Sequence, residues 1–212
     1  MSVITPPSIA SIREAADRIR PYLHTTPVIT SRFFDRQVGA EIFFKCENLQ
    51  KVGAFKSRGA CNAVFNLSDD RAAAGVATHS SGNHGQAVAF AAGLRGIPAI
   101  VVMPRGTTEI KRRAVQGYGA RAVESGPSLE EREGATQRIA DVDGVHVIHP
   151  YDDADVVSGQ GTAAVELMQQ AGPLDALLVP IGGGGLASGT ALVAAGDAGL
   201  ATVERPSDAP KV

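Results

Sequence analysis

The spacing of apolar residues changes along the chain, from a helical period near the start to a repeated alternation of short runs and longer amphipathic stretches. The helical set follows Ser8, which can cap it, and consists of Ile9, Ile12, Ala16, Ile19 and Leu23. Short apolar or β-branched runs predict strands at 42–45, 76–78, 99–103, 121–123, 145–148 and 176–181. Amphipathic stretches predict helices at 56–67, 83–94, 108–117, 128–140, 157–170 and 185–195. This alternation favours an α/β fold with a parallel sheet, because parallel neighbours need a crossover connection.

Composition indicates a globular chain and excludes several classes of function. The 212 residues are 44% hydrophobic and 20% charged, with 20 Lys and Arg against 22 Asp and Glu. Such a balance gives no basic field for nucleic acid or for an anionic membrane surface. The longest apolar stretch is broken by Pro180 and four consecutive glycines, so we expect no membrane span. Cys46 and Cys61 match neither a disulfide framework nor a metal knuckle, and the start lacks a signal-peptide pattern, which predicts a reduced, cytoplasmic protein.

A run of glycines directly follows the last predicted strand and opens the last predicted helix. In open α/β sheets, ligands bind outside the carboxyl ends of the strands, so this turn is a candidate site. Glycines let the backbone approach a ligand closely, and the helix start offers free N–H groups, which together predict a phosphate or another anion. A merely flexible turn is the alternative. The run consists of Gly182, Gly183, Gly184 and Gly185.

The same glycines also allow a dinucleotide-binding interpretation. Gly182, Gly184 and Ala187 fit GxGxxA, and Glu204 follows a possible short strand at 201–203, about twenty positions further on. The chain ends shortly after Glu204, so the next crossover is not completed. A dinucleotide-binding domain therefore stays open as an alternative.

A second turn, at 79–86, follows the strand predicted at 76–78. Ser80, Ser81, Asn83 and His84 offer two hydroxyls, a carboxamide and backbone amides at a helix start, which suits a carboxylate or a phosphate. Ordinary capping of the helix by Ser81 or Asn83 is the alternative.

Lys56 stands at the predicted start of another helix. There the positive end of the helix dipole favours the neutral, nucleophilic amine of a lysine. A solvated surface lysine is the alternative. The five histidines show neither H-x-x-x-H nor HExxH spacing, so no transition-metal site is expected; they are His24, His79, His84, His146 and His149.

Four segments, in this order, resemble the fold-type II pyridoxal-phosphate enzymes, specifically the threonine/serine ammonia-lyase and serine racemase group. They are Phe55-Lys56 with Arg58-Gly59-Ala60, the turn at 80–86, Gly159-Gln160-Gly161-Thr162, and the tetraglycine turn. The similarity runs from Thr25-Thr26-Pro27 to about Ala195. It implies two domains with mostly parallel open sheets: a small α/β domain at 53–144 and a large cofactor-binding domain at 1–52 and 145–212. Members of this group normally continue further, so the large domain is incomplete here.

The resemblance assigns a role to each candidate residue. Lys56 is the residue that binds pyridoxal 5′-phosphate and then acts as the base, Phe55 lies beside the cofactor ring, and Asn83 bonds the ring hydroxyl. The tetraglycine turn holds the cofactor phosphate. The substrate is held by Ser80, Ser81, Asn83 and His84. In racemising relatives, the serine that matches Ser81 is a second acid/base. Glu204 is a weak candidate for a divalent-cation ligand, with no evident partner acid.

The implied activity is that of a threonine/serine dehydratase, which removes water from a hydroxy-amino acid to give a 2-oxo acid and ammonia. A serine racemase, a hydroxyaspartate dehydratase and an inactive truncated remnant are the alternatives within the same resemblance. The expected partners are a small amino-acid substrate and a second copy of the chain in a homodimer.

Overall fold

The computed structural model describes residues 6–196. Its helices are α1 Ile9–Ile19, α2 Arg32–Val38, α3 Lys56–Asn66, α4 Asp69–Ala73, α5 Asn83–Arg95, α6 Glu109–Gly117, α7 Leu129–Asp143, α8 Ala154–Ala171 and α9 Gly185–Gly196. Its strands are β1 Val28–Thr30, β2 Phe43–Lys45, β3 Val76–His79, β4 Ala99–Pro104, β5 Arg121–Ser125 and β6 His146–Val147. Two short 3-10 turns, Glu47–Leu49 and Lys51–Gly53, lead from β2 into α3. Within this range, no helix has the length and apolar character needed to cross a bilayer.

The central sheet has the strand order β5-β4-β3-β6, and every pairing in it is parallel. Helices α5 and α6 form the crossovers between successive strands. Side chains alternate across the sheet: Val76 and Val101 pack in the cluster that contains α5, whereas Ala77 and Ile100 pack against residues of α7. Both faces are therefore covered, as parallel sheets require, and the predicted α/β class is confirmed.

Glycines let α8 pack closely against two other helices. A Cβ atom on Gly159 would lie 2.5 Å from the Arg58 carbonyl oxygen and 2.6 Å from the Gly59 Cα, both in α3. A Cβ on Gly189 of α9 would lie 2.6 Å from the Gly161 nitrogen. Neither distance is possible for a real side chain. The Gly-x-Gly of α8 thus serves packing, with one glycine facing α3 and the other facing α9.

A buried ion-pair network joins α3 to α8 and to the segment before α3. The Arg58 guanidinium donates to Glu47 at 2.7 Å and to Glu166 at 3.1 Å, and Lys45 of β2 pairs with Glu166. Burial disfavours the charged form of Glu166, but hydrogen bonds from Arg58 and Lys45 hold the pKa of its carboxyl below the usual range. The ionised form of Glu166 is therefore favoured, and the network ties four chain segments together.

The predicted strand at 176–181 is wrong. These residues pair with no strand in the part of the chain that the structure describes, and Leu178 and Ile181 are 95% and 75% exposed. An apolar run favours a buried strand, but a strand also needs a hydrogen-bonded neighbour, which local sequence cannot supply. Glu204 and the possible strand at 201–203 lie outside the described residues.

Other boundaries differ less. Helix α1 ends at Ile19 and not at Leu23, and the sequence pattern gave no sign of β1, α2 or α4. Strand β1 pairs with β2 in a separate antiparallel sheet. The domain division stays a prediction; β6, which follows the expected boundary at 144 and 145, pairs with β3 in the central sheet.

We expect Gly159→Ala to lower the free energy of unfolding by about 1–3 kcal/mol, because overpacking at this contact forces the α3 and α8 backbones apart. Urea unfolding followed by circular dichroism measures it. The control is Gly134→Ala in α7, where the added Cβ meets only the end of the Arg138 side chain at 3.4 Å. This control should be neutral or stabilising by up to about 1 kcal/mol. Equal stability of the two variants would contradict the packing role.

Candidate active site

Lys56 is the first residue of α3, directly after Phe55. Its Nζ donates a hydrogen bond of 2.7 Å to the Pro150 carbonyl oxygen and lies 5.4 Å from the centre of the Phe55 ring. The side chain is partly buried, and this burial lowers the pKa of the amine below the ordinary lysine value. Lys56 is thus not a solvated surface lysine, and its neutral form is accessible as a nucleophile or base.

The turn after β3 presents its polar side chains without using them as helix caps. Helix α5 begins at Asn83 with Gly82 as its N-cap, and no side chain makes the capping hydrogen bond. The alternative, in which Ser81 or Asn83 caps this helix, is therefore wrong. Asn83 is exposed and Ser81 is half-buried, so both polar groups can meet a ligand at the start of α5. The Gly82 amide donates to the Ser80 hydroxyl at 3.1 Å, which tightens the turn.

His84 points away from this turn into the core. It is buried, and its Nε2 lies 3.5 Å from the Ile148 carbonyl oxygen. Burial, with a further contribution from the nearby Lys56 charge, lowers the pKa of His84 to about 3. The ring is therefore neutral near pH 7. What His84 offers a ligand is its backbone amide, since the first N–H groups of a helix have no partner within it.

The glycine turn lies against Tyr151. This residue follows Pro150, whose carbonyl oxygen accepts the hydrogen bond from Lys56. A Cβ atom on Gly183 would lie 2.2 Å from atoms of the Tyr151 ring, so the ring occupies the space that a side chain would need. Gly184 has φ +95°, a conformation that favours glycine, and Gly185 begins α9. The structure thus brings Lys56 and the start of α9 to either side of the segment formed by Pro150 and Tyr151. The first N–H groups of α9 have no partner within the helix, and such a helix start suits an anion.

The structure also joins three residues that the sequence analysis did not group. His79, Glu133 and His149 come from β3, from α7 and from the residues after β6, and one potential ligand atom from each lies within 4.8 Å of the others. Local motifs such as H-x-x-x-H could not reveal this cluster, because it forms only when two parallel strands and a helix meet. The signal was the position of both histidines at predicted strand ends.

Comparisons with known proteins agree with this arrangement. A family model described as "Pyridoxal-phosphate dependent enzyme" matches residues 19–203. The chain belongs to this family. Pyridoxal 5′-phosphate is the cofactor that the family uses. Two features of this chain fit that group: Lys56, whose amine has a lowered pKa, and the glycine-rich helix start, whose free amides suit a phosphate.

Two curated relatives show the extent of the similarity. The chain is 46% identical over 187 residues to a serine racemase of Dictyostelium discoideum, covering 88% of this chain and 58% of the relative. It is 49% identical over 186 residues to a beta-hydroxyaspartate dehydratase of Paracoccus denitrificans, covering 88% and 59%. The chain therefore spans less than two thirds of the length of these curated relatives.

Solved structures give the same result. The structure of maize serine racemase matches with a TM-score of 0.89 and 47% identity, covering 94% of this chain and 62% of that one. A threonine deaminase from T.th. matches with a TM-score of 0.83 and 40% identity, covering 92% and 64%. The resemblance to the fold-type II racemase and ammonia-lyase group is confirmed.

We expect the Lys56 amine to react with acetic anhydride at a lower pH than an ordinary lysine does. Burial penalises its protonated form, so the reactive neutral form appears earlier as the pH rises. Trace acetylation across a pH series, read by peptide mapping, measures the midpoint, and the exposed Lys111 in the same digest is the reference. A Lys56 midpoint equal to or above that of Lys111 would contradict the environment described here.

Proposed function

We propose that Lys56 binds pyridoxal 5′-phosphate covalently, and that the catalytic unit containing this chain removes water from a hydroxy-amino acid. The observation that carries the proposal is the placement of a partly desolvated lysine amine beside the Pro150 carbonyl, next to the Tyr151 that the glycine turn contacts and near His84 at the start of α5. A nucleophilic amine and two helix starts suited to anions are what such a cofactor and an amino-acid carboxylate require.

When bound, the cofactor supplies an electron sink for negative charge at the substrate α-carbon. Once the substrate amine has displaced it from the cofactor, Lys56 would be a free neutral amine and would accept the α-proton on Nζ, for which its lowered pKa suits it. Phe55 packs beside the cofactor ring, and the amides of the glycine turn hold the phosphate. Both helix starts border the Pro150 and Tyr151 segment.

The turn at 80–84 binds and orients the substrate. The hydroxyls of Ser80 and Ser81 and the backbone amide of His84 donate to its carboxylate at the start of α5. Asn83, exposed at the first position of that helix, bonds the ring hydroxyl and borders the substrate. The neutral His84 ring, buried behind them, adds no charge of its own.

The substrate class follows from the names that several of the relatives carry. These names refer to serine, threonine or hydroxyaspartate, amino acids with a hydroxyl on the β-carbon, whereas one structure at 42% identity is an aspartate racemase. We therefore propose L-threonine or L-serine as the first substrates to test, and hydroxyaspartate next. A truncated remnant without activity is the competing interpretation, and a dinucleotide-binding domain receives no support from these matches.

Racemisation is a second candidate, which one observation favours. Ser81 is not used as a helix cap, so its hydroxyl is available to exchange a proton with the α-carbon on the face opposite Lys56. The similarity to several proteins named serine racemase supports the same candidate.

Mixing the 212-residue chain with pyridoxal phosphate should produce a visible absorbance band, and borohydride should then fix a pyridoxyl group on Lys56. Peptide mapping locates it. Lys56→Ala should abolish the labelling, whereas Lys111→Ala, at an exposed position of α6, should not. Release of 2-oxo acid from threonine and serine is then assayed on unreduced protein that carries the cofactor. A folded protein that forms no band would identify the chain as an inactive remnant.

Ser81→Ala should separate the two candidate reactions. We expect racemisation to fall by about a hundredfold or more, which is the usual contribution of one acid/base group, while 2-oxo acid release persists. Chiral chromatography of serine, together with an assay of pyruvate, measures both rates in one sample. Equal loss of the two activities would instead assign Ser81 to substrate binding alone.

A further inference from the structure

The parallel register of β3 and β6 places two histidines side by side. Val76 pairs with His146 and Ala77 with Val147, and the same register continued two residues further aligns His79 with His149. Their rings meet edge to face with centroids 5.3 Å apart. Both histidines lie on the sheet face that α7 covers, because side chains alternate and Ala77 faces that helix.

Helix α7 supplies a carboxylate to this pair. Glu133, in its second turn, places Oε1 3.9 Å from the Nε2 atom of His79 and 3.9 Å from the Nε2 atom of His149. The Nε2 atom of His79 is buried and has no hydrogen-bond partner among the described residues. An unpaired buried polar atom is unfavourable, so a ligand that satisfies it is stabilised there.

We propose that His79, Glu133 and His149 bind a divalent transition-metal ion, of which zinc is the test case. Two imidazole nitrogens and one carboxylate oxygen form a donor set typical of zinc and of similar ions, whereas magnesium prefers oxygen ligands only. Bonds of about 2.1 Å at tetrahedral angles place ligand atoms about 3.4 Å apart. The two observed 3.9 Å separations each need a contraction of about 0.5 Å. The ligand atoms of the two histidines lie within 4.8 Å of each other and must also approach to that spacing when an ion binds. The Glu133 side chain is 44% exposed, which leaves room for water as a further ligand.

Metal binding at this site requires a change in the hydrogen bonds of His149. Its Nδ1 accepts from the Asp152 amide at 2.8 Å and lies 3.4 Å from the Tyr151 amide, so the proton of the neutral ring is on Nε2. Coordination through Nε2 removes that proton, and Nδ1 becomes protonated and gives up the Asp152 bond. The loss of one hydrogen bond is small beside the free energy that zinc gains from protein ligands. The turn that this bond holds also carries the Pro150 carbonyl, so a bound ion would lie close to Lys56.

Zinc titration of the full 212-residue chain without added cofactor tests the proposal, by competition with a chromophoric chelator and by the visible spectrum of bound cobalt. We expect one equivalent of zinc and a cobalt band of the intensity that tetrahedral coordination gives. Glu133→Gln and His149→Gln should each weaken binding by at least about tenfold, because even outer-shell partners of metal ligands contribute that much. Glu130→Gln in the exposed first turn of α7 and the exposed His24→Gln are matched controls and should bind as the unchanged chain does.

Three results would overturn the proposal: no zinc bound by the folded chain, unchanged affinity in both Glu133→Gln and His149→Gln, or displacement of cobalt by an equal concentration of magnesium. Circular dichroism confirms that each variant folds. The half-exposed Glu133 keeps the test decisive even if a histidine variant does not fold. The outcome does not depend on the function proposed above, since no cofactor or substrate is added.

Discussion

The position of Lys56 depends on the buried guanidinium of Arg58, two residues further along α3. A charge cannot remain in a protein interior without partners, and Arg58 finds them in Glu47, before α3, and in Glu166, on α8. The first turn of α3 is therefore fixed between two other segments of the chain. Removing one partner from such a buried pair typically costs about 3–5 kcal/mol, so the arrangement tolerates little change.

Close contacts at glycines connect the first turn of α3, through α8, to the glycine turn. Gly159 brings α8 against α3, and Gly161 brings the same helix against Gly189 of α9. The start of α9 is the glycine turn itself. Lys56 and a potential phosphate site are thus held by one stack of three helices, and not by flexible loops. This explains why the Gly-x-Gly of α8 accompanies the lysine and glycine-rich segments in the resemblance, although it offers no polar group to a ligand.

Sequence predicted the features that depend on neighbouring residues and missed those that depend on distant ones. The cap of α1 by Ser8 is local, and it forms. The alternation of strands and helices was enough to predict a parallel sheet, but it does not determine the register of the strands. The register is what aligns His79 with His149, so no local motif could predict their cluster, although both histidines stand at the ends of predicted strands. The strand at 176–181 failed for the same reason, because pairing requires a neighbour that an apolar run does not specify.

The protonation of Lys56 and the binding of an anion at this edge of the sheet are coupled. Burial lowers the pKa of Lys56 and of His84, so this environment disfavours positive charge on both. An anion at the start of α5 or α9 would offset that penalty by its own charge and would favour the protonated amine. By linkage, protonation of Lys56 would in turn strengthen the binding of the anion. A lysine that gives up its proton easily without an anion beside it, and retains the proton when an anion is bound, can both attack a carbonyl carbon and return a proton to a substrate.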